Sequence, residues 1–169
     1  MRVERRRLVV VVVVSLVLVA AIWLLFFRGS DEERVRAAIV RMAAAVRVDP
    51  AETNPIVRNA RIKGELQEVS TQDVRFEIPE LTDLHEGRGR LADVATQASL
   101  VYATAEVTMS ELRVELDPAM RSASVTATAT LTGARHGGVV ERDRRHVTFH
   151  LRDDGGWRVD ELRVSPRQE

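Results

Sequence analysis

The longest apolar stretch of the chain covers residues 8–27, which carry no charged side chain. Twenty helical residues extend about 30 Å, the thickness of the hydrocarbon core of a bilayer. Six consecutive valines (9–14) would favour a strand in water,. A lone segment in lipid must instead satisfy its own backbone hydrogen bonds, and it therefore spans as a helix. We expect residues 8–27 to form a single transmembrane helix.

The charged flanks of this segment predict its orientation. Four arginines and one glutamate precede it within residues 1–7, whereas acidic side chains dominate residues 31–33. Because the basic side stays in the cytoplasm, we expect a cytoplasmic tail over residues 1–7 and an extracytoplasmic domain over residues 28–169 of a bacterial inner-membrane protein. A cleaved signal peptide is the alternative, but the run is longer than a typical apolar signal region and lacks a small-residue cleavage site.

Helical periodicity dominates the next part of the chain. Val35, Ile39, Met42 and Val46 form a stripe at intervals of three or four residues, which predicts a first helix that ends near Asp49–Pro50,. Residues 51–69 predict a second, shorter helix, although Gly64 weakens it,. A third helical stripe consists of six residues: Leu91, Val94, Ala95, Ala98, Val101 and Tyr102.

The pattern changes to alternation with a period of two beyond residue 103. A short strand over residues 74–78 and a charged loop over residues 79–90 come before the third helix,. Four longer runs then predict strands, at about 104–116, 122–132, 139–152 and 157–165. Short turns rich in glycine and aspartate separate these runs, which indicates an antiparallel meander.

Two of these runs contain a change of parity. In the first run the apolar residues change phase at Ser110–Glu111, and Trp157 and Val159 differ in phase from Leu162 and Val164 in the last. A β-bulge explains such a slip, because it adds one residue to one strand and bends the sheet. Helices followed by a curved antiparallel sheet of about four long strands predict an α+β fold.

The order of elements resembles the nuclear transport factor 2-like superfamily, which includes the SnoaL-like proteins. The resemblance covers roughly residues 31–166 and is carried by the closing segment over residues 149–159, where a strand, an Asp/Gly turn and a tryptophan-led strand follow one another. It implies helices on the concave face of the sheet and a cone-shaped pocket. Some enzymes of this superfamily use pocket aspartate, histidine or tyrosine as acid and base.

Four residues are candidates for lining such a pocket: Tyr102, His146, His150 and Trp157. Each also has a structural interpretation, because Tyr102 falls on the apolar stripe of the third helix and Trp157 has the size and phase of a core residue. The two histidines share strand parity but lie about 13 Å apart, too far for one metal ion. No metal site is therefore predicted.

Other polar residues have weaker claims to a role in catalysis. His85 lies beside Asp83 and Glu86, either of which would orient it as a base, but a charged surface loop explains the same residues,. His136 lies in a glycine-rich turn and is expected to be solvated. The charged run over residues 142–145 is typical of a solvated strand edge. The alanine-rich second strand favours close helix-on-sheet packing over a roomy pocket.

Composition narrows the functional classes. Residues 28–169 contain 21 basic and 24 acidic side chains, a net charge of −3, which gives no reason to expect nucleic acid binding,. The chain has no cysteine, no glycine-rich phosphate loop and no nucleophile motif, and we expect no cofactor,. The sequence favours a non-catalytic, membrane-anchored domain that binds a protein partner or a second copy of itself. The alternative is a small-ligand-binding or isomerase- or cyclase-like pocket enzyme.

Overall fold

The computed structural model describes residues 31–81 and 85–166 of the chain. The predicted tail over residues 1–7 and the predicted span over residues 8–27 lie outside the described residues. Among the residues that are described, none of the helices has the length and hydropathy needed to cross a bilayer. The chain divides into two units, Met1–Arg34 and Val35–Glu169. Of the first unit, residues 31–34 are described, and they are helical.

Three helices are described: α1 over residues 31–45, α2 over Pro55–Val69 and α3 over Arg88–Val101. Helix α1 ends earlier than predicted because Val48 joins the sheet and exchanges two backbone hydrogen bonds with Ala105. Helix α2 starts where the Asn54 side chain accepts a hydrogen bond from the Ile56 amide, an N-cap arrangement,. It continues through Gly64 without interruption.

The sheet contains six strands in the order β2-β1-β6-β5-β4-β3. They are β1 Ser70–Glu77, β2 His85–Glu86, β3 Tyr102–Asp117, β4 Ser122–Arg135, β5 Val140–Asp153 and β6 Trp157–Val164. The predicted antiparallel meander is confirmed for β3 to β6. The expectation of a purely antiparallel sheet is wrong, because β1 pairs in parallel with β6 and antiparallel with the short β2.

Both predicted bulges are confirmed. The register of β3 against β4 shifts between Ser110 and Arg113, and Glu111 adopts a left-handed backbone with φ of 56°. In β6, Val159 pairs with Leu151 and Glu161 pairs with His150, so that Asp160 is the extra residue. Because each bulge adds one residue, the apolar side chains before it and after it project from the same side of the sheet.

The hydrophobic core lies between the helices and one side of the sheet, which we call the helix-facing side. Alternate residues of β4 and β5 are buried there: Ala123, Val125, Ala127, Val147, Phe149 and Leu151. They belong to the same core as Ile39, Met42, Ile62 and Leu66 of the helices. Short alanine side chains on β4 permit close packing, as the sequence predicted. The opposite side of the sheet, which we call the outer face, carries mostly hydroxyl and charged side chains.

Candidate functional site

The main polar cluster on the helix-facing side consists of Glu80, Asp143 and Arg145. Asp143 and Arg145 alternate along β5 with the same parity as Val147, Phe149 and Leu151, so they continue the helix-facing side beyond the apolar core,. Glu80 belongs to the segment that follows β1, and its carboxylate reaches Arg145. We call these three residues the Arg145 cluster. The predicted solvated strand edge over residues 142–145 is confirmed for Arg142 and Arg144, which are exposed. In the described residues this part of β5 pairs with β4 and has no strand partner on its other side before His146, but Asp143 and Arg145 are half-buried.

Arg145 is held by two carboxylates. Its Nε and Nη2 donate to Oδ2 of Asp143 at 2.9 and 2.8 Å. Its Nη2 also lies 2.5 Å from Oε1 of Glu80. The side chain of Arg145 is 16% exposed, whereas that of Glu80 is 57% exposed. The guanidinium is therefore largely covered, and the surrounding water reaches the cluster mainly through Glu80.

Ion pairing fixes the charge state of this cluster. The hydrogen bond from Arg145 is the largest influence on Glu80 and lowers the pKa of that carboxyl. The hydrogen bond to Glu80 in turn raises the pKa of the Arg145 guanidinium. Both groups consequently stay charged near neutral pH and neutralise each other. Such a cluster orients a polar ligand group well, but Glu80 is a poor proton acceptor at neutral pH because its pKa is depressed.

The four predicted pocket residues do not converge on one place. Tyr102 pairs with Arg135 at one end of β4, and His150 pairs with Ser124 near the other end. Arg135 and Ser124 lie eleven residues apart along β4, which corresponds to about 36 Å,. Tyr102 is the first residue of β3, so its assignment to the stripe of the third helix is wrong.

The two histidines of β5 project from the outer face. His146 and His150 alternate with the buried residues Val147, Phe149 and Leu151, and both are exposed. Their shared parity is as predicted from the sequence, but they point away from the core and from any pocket between helices and sheet. Trp157 pairs with Asp153 at the far end of β5 and packs, half-buried, against the core.

The remaining two histidines have separate surroundings. His85 pairs with Phe76 in the sheet, and the two rings pack with centroids 5.3 Å apart. Phe76 is fully buried, so His85 covers the edge of the core. Asp83, its predicted orienting partner, lies outside the described residues. His136 is exposed in the turn between β4 and β5, as predicted. Within residues 31–81 and 85–166, no three potential ligands are grouped to hold a metal ion.

The bulge in β3 gathers a second polar cluster on the outer face. Thr128, which is buried, donates to Oε2 of Glu111 at 2.7 Å, and Arg144 donates to Oε1 at 3.3 Å. The hydrogen bond from Thr128, followed by the charge of Arg144, lowers the pKa of Glu111. These contacts fix the left-handed residue of the bulge, and the sequence signal for them was the parity change at Ser110–Glu111.

Two surface grooves lie elsewhere on the described part of the protein, and neither is lined by residues of these two clusters. A groove of about 400 Å³ opens on the outer face near the bulge at Asp160, where it is lined by His150, Arg152 and Glu161 among others. Arg152 is paired with Asp160, and Arg75 with Glu161 at 3.2 Å. A second groove, of about 510 Å³, lies beside the segment that joins α1 to α2, with Arg61 in its wall.

Three helices on one side of a curved mixed sheet define a nuclear transport factor 2-like fold, and the chain belongs to the SnoaL-like domain family, whose model matches residues 57–163. A comparison of the sequence with curated proteins returns no match.

Solved structures share the fold at low sequence identity. A nuclear transport factor 2-like superfamily protein from Salmonella enterica serovar Typhimurium is 11% identical, with a TM-score of 0.66 over 84% of this chain and 94% of that one. A protein of unknown function from Mycobacterium tuberculosis is 19% identical, with a TM-score of 0.63 over 83% and 79%. A type 2 hexachlorocyclohexane dehydrochlorinase is 15% identical, with a TM-score of 0.65 over 82% and 86%. At these identities the likeness establishes the fold alone.

Proposed function

We propose that this chain is a single-pass, membrane-anchored protein whose SnoaL-like domain binds a partner and does not catalyse a reaction. In this proposal residues 1–7 are cytoplasmic, residues 8–27 span the membrane, and residues 28–169 form an extracytoplasmic domain. The uncharged run of twenty residues supports the anchor, and the arginines before it support the orientation,.

One observation carries the non-catalytic part of the proposal: the side of the sheet on which this fold would hold a substrate is filled. Apolar side chains of α1 and α2 pack directly on β4 and β5, and Val125 and Phe149 at the centre are at most 1% exposed. A substrate pocket needs several hundred cubic ångströms of concave space with convergent polar groups. The Arg145 cluster supplies polar groups, but its charges are already paired.

Membrane fractionation tests the anchor. We expect the full chain, with tags at both termini, to stay in the membrane pellet after an alkaline carbonate wash and to keep its N-terminal tag. A matched variant that lacks residues 8–27 is expected in the soluble fraction. Loss of the N-terminal tag from the mature protein, or release of the full chain by carbonate, would contradict the proposal.

A small-ligand-binding or isomerase-like function is the second candidate, and the Arg145 cluster favours it. A largely covered guanidinium on the helix-facing side is a suitable hydrogen-bond donor to a carbonyl group,. The dehydrochlorinase with the same fold is an enzyme by name. Thermal-shift screening with aromatic ketones tests this function. Stabilisation of the full chain by a compound, abolished in Arg145→Met and retained in the surface control Glu68→Gln, would establish the second candidate and refute the first.

A further inference from the structure

Strand β5 is paired on both sides along only part of its length. It pairs with β4 over residues 140–152 without a register shift, but its pairing with β6 begins at Val147. The last backbone contact from β6 comes from the Ser165 amide, which donates to the His146 carbonyl at 2.9 Å. In the described part of the chain, no strand pairs with β5 on this side over residues 140–145. We call this stretch the free edge of β5.

The pairing register shows which backbone groups of the free edge lack a partner. In an antiparallel pair each residue directs its N–H and C=O to the same side of its strand, and successive residues alternate between the two sides. The His146 carbonyl points to β6, so the backbone groups of Arg142 and Arg144 point to the same side, where β6 no longer runs. Among the described residues, none forms a backbone hydrogen bond with them there. Two amides and two carbonyls are therefore open to an added strand.

The side chains of the free edge carry positive charge on the outer face. Arg142 and Arg144 are both exposed and project there. Arg144 donates to Glu111 at 3.3 Å, whereas Arg142 has no ion-pair partner within the described residues. Val140 follows on the same face and is 70% exposed. On the helix-facing side, the charges of the Arg145 cluster are already paired.

We propose that the free edge of β5 binds an extended acidic segment of a partner protein, which joins the sheet as an antiparallel strand in line with β6. Two segment residues opposite Arg144 and Arg142 satisfy all four open backbone groups, because directly opposed residues can exchange both hydrogen bonds. Their Cβ atoms lie about 5 Å from those of the arginines, so carboxylates are favoured at both positions. Opposite the exposed Val140 an aliphatic residue is favoured. The segment therefore has the pattern acidic–x–acidic–x–aliphatic, counted from its N-terminal side.

The same charges disfavour a second copy of the chain at this edge. Pairing of β5 with β5 of another copy, in the registers that use both arginines, places arginine opposite arginine. Like charges that lie directly opposite each other destabilise a sheet. Charged side chains on a free edge commonly protect a protein from such self-pairing. An acidic segment is attracted by the charges that repel a second free edge, so the arginines both prevent self-pairing and select the partner.

The expected complex is weak because the added strand is short. Six residues of β5 extend about 20 Å, which limits the contact to one segment of similar length. Its affinity should fall with salt, since exposed ion pairs are screened. The inference rests on the proposed interaction function, for which it names the chemistry of the partner. If the proposed anchor confines the domain and its partner to one membrane, their effective concentration rises and a weak contact suffices.

Fluorescence anisotropy tests the inference with a defined peptide. The probe is fluorescein-labelled Thr-Glu-Thr-Glu-Thr-Val-Thr with a blocked C-terminus, titrated with the full chain in an uncharged detergent. We expect saturable binding that weakens in about 1 M NaCl. Arg142→Glu should raise the dissociation constant about tenfold, because an attraction becomes a repulsion. The matched control Arg90→Glu, which changes an exposed arginine of α3, should leave it unchanged.

Two further peptides test the charge and the direction of the strand. A version with lysine in place of both glutamates should not bind. A version with the reversed order, Thr-Val-Thr-Glu-Thr-Glu-Thr, should bind more weakly, because its aliphatic residue no longer lies opposite Val140. No binding of the acidic peptide, equal binding of either control peptide, or equal effects of Arg142→Glu and Arg90→Glu would overturn the inference.

Amide hydrogen exchange measured by NMR locates the bound strand. In the full chain without peptide, the amides of Arg142 and Arg144 should exchange faster than those of Asp143 and Arg145, which point to β4,. The peptide should slow exchange at Arg142 and Arg144. Protection of these two amides without peptide, protection that depends on protein concentration and so indicates a second copy, or peptide-dependent protection only elsewhere would overturn the inference.

The inference and the proposed function fail in distinguishable ways. A chain that stays in the membrane after the carbonate wash but does not bind the acidic peptide refutes the inference alone. A chain that binds the peptide at the free edge but is released by carbonate, or is stabilised by a ketone through Arg145, refutes the proposed function and supports the inference.

Discussion

A pair of glycine substitutions tests the packing described above with opposite expected signs. Gly133 lies in β4 opposite Ala105, and a methyl group added to it would lie 2.7 Å from the carbonyl oxygen of Thr104. The same methyl would lie 3.1 Å from the ring of Tyr102. Gly64, in the middle of α2, has open space around it. We expect Gly133→Ala to destabilise the protein and Gly64→Ala to stabilise it.

Two opposing effects determine how much Gly133→Ala changes the free energy of unfolding. Carbon atoms in ordinary contact lie about 3.5–4.0 Å apart. The new methyl at position 133 therefore forces β4 away from β3, which is held on its other side by the bridge to Val48, and such overpacking costs about 1–3 kcal/mol,. Loss of chain freedom in the unfolded state offsets about 0.4–1 kcal/mol of this. The net loss for Gly133→Ala is about 1–2 kcal/mol. In the helix interior, Gly64→Ala gains about 0.5–1 kcal/mol.

Thermal unfolding of the two variants in parallel provides the assay. For a chain of this size each kcal/mol corresponds to about 2–4 °C in Tm. We expect Gly133→Ala to unfold several degrees below the parent protein and Gly64→Ala one to several degrees above it, by circular dichroism under identical conditions. An unchanged Tm for Gly133→Ala would refute the close approach of β3 and β4 at this point. A lowered Tm for Gly64→Ala would refute the open surroundings of that glycine.

Three further predictions concern the core, a helix end and the Arg145 cluster. Phe149→Ala should lower the free energy of unfolding by about 3–5 kcal/mol in urea denaturation, because it empties the centre of a filled core,. Asn54→Ala should cost about 1 kcal/mol through loss of the α2 cap, whereas Asn54→Asp should restore it,. Arg145→Met should return the pKa of Glu80 towards its ordinary value of 4.5. The lowered pKa of Glu80 stabilises the fold above pH 4.5. The difference in free energy of unfolding between the parent protein and the variant should therefore shrink as the pH falls below 4.5,. A difference that stays constant with pH would contradict this.

Local sequence patterns predicted the parts of the fold that depend on local structure. Alternation and turns identify β3 to β6, and the parity change at Ser110–Glu111 identifies a bulge, because a strand with one buried side cannot slip without one. The parallel pairing of β1 with β6 has no local signal in the sequence, since the paired residues Ser70 and Val159 lie roughly ninety positions apart along the chain. Tyr102 follows Val101 in phase with a helical stripe, so periodicity alone could not show that it begins a strand.

The candidate site was less predictable than the fold. Residues 142–145 are charged throughout, and a charged run has no apolar alternation to show which side chains turn towards the core. Arg145 faces the helices because it shares the parity of Val147 and Phe149 along β5, and Glu80 reaches it from a segment about 65 residues earlier. Residue type and strand parity predict the four pocket residues, but neither property distinguishes the two faces of a sheet.

The position of β6 has a consequence for how the chain folds. The strand lies between β1 and β5, so β1 has only the two-residue β2 as a partner until β6 has been synthesised. A two-stranded pair of this kind is marginally stable in water. The pairing of Ser70 with Val159 also closes a loop of roughly ninety residues, and such long-range pairing forms slowly,. During synthesis, therefore, the β3–β5 meander can form early, while β1 and the helix that precedes it must wait for β6. A chain truncated before Trp157 would keep the β3–β4 and β4–β5 hairpins and lose its first strand.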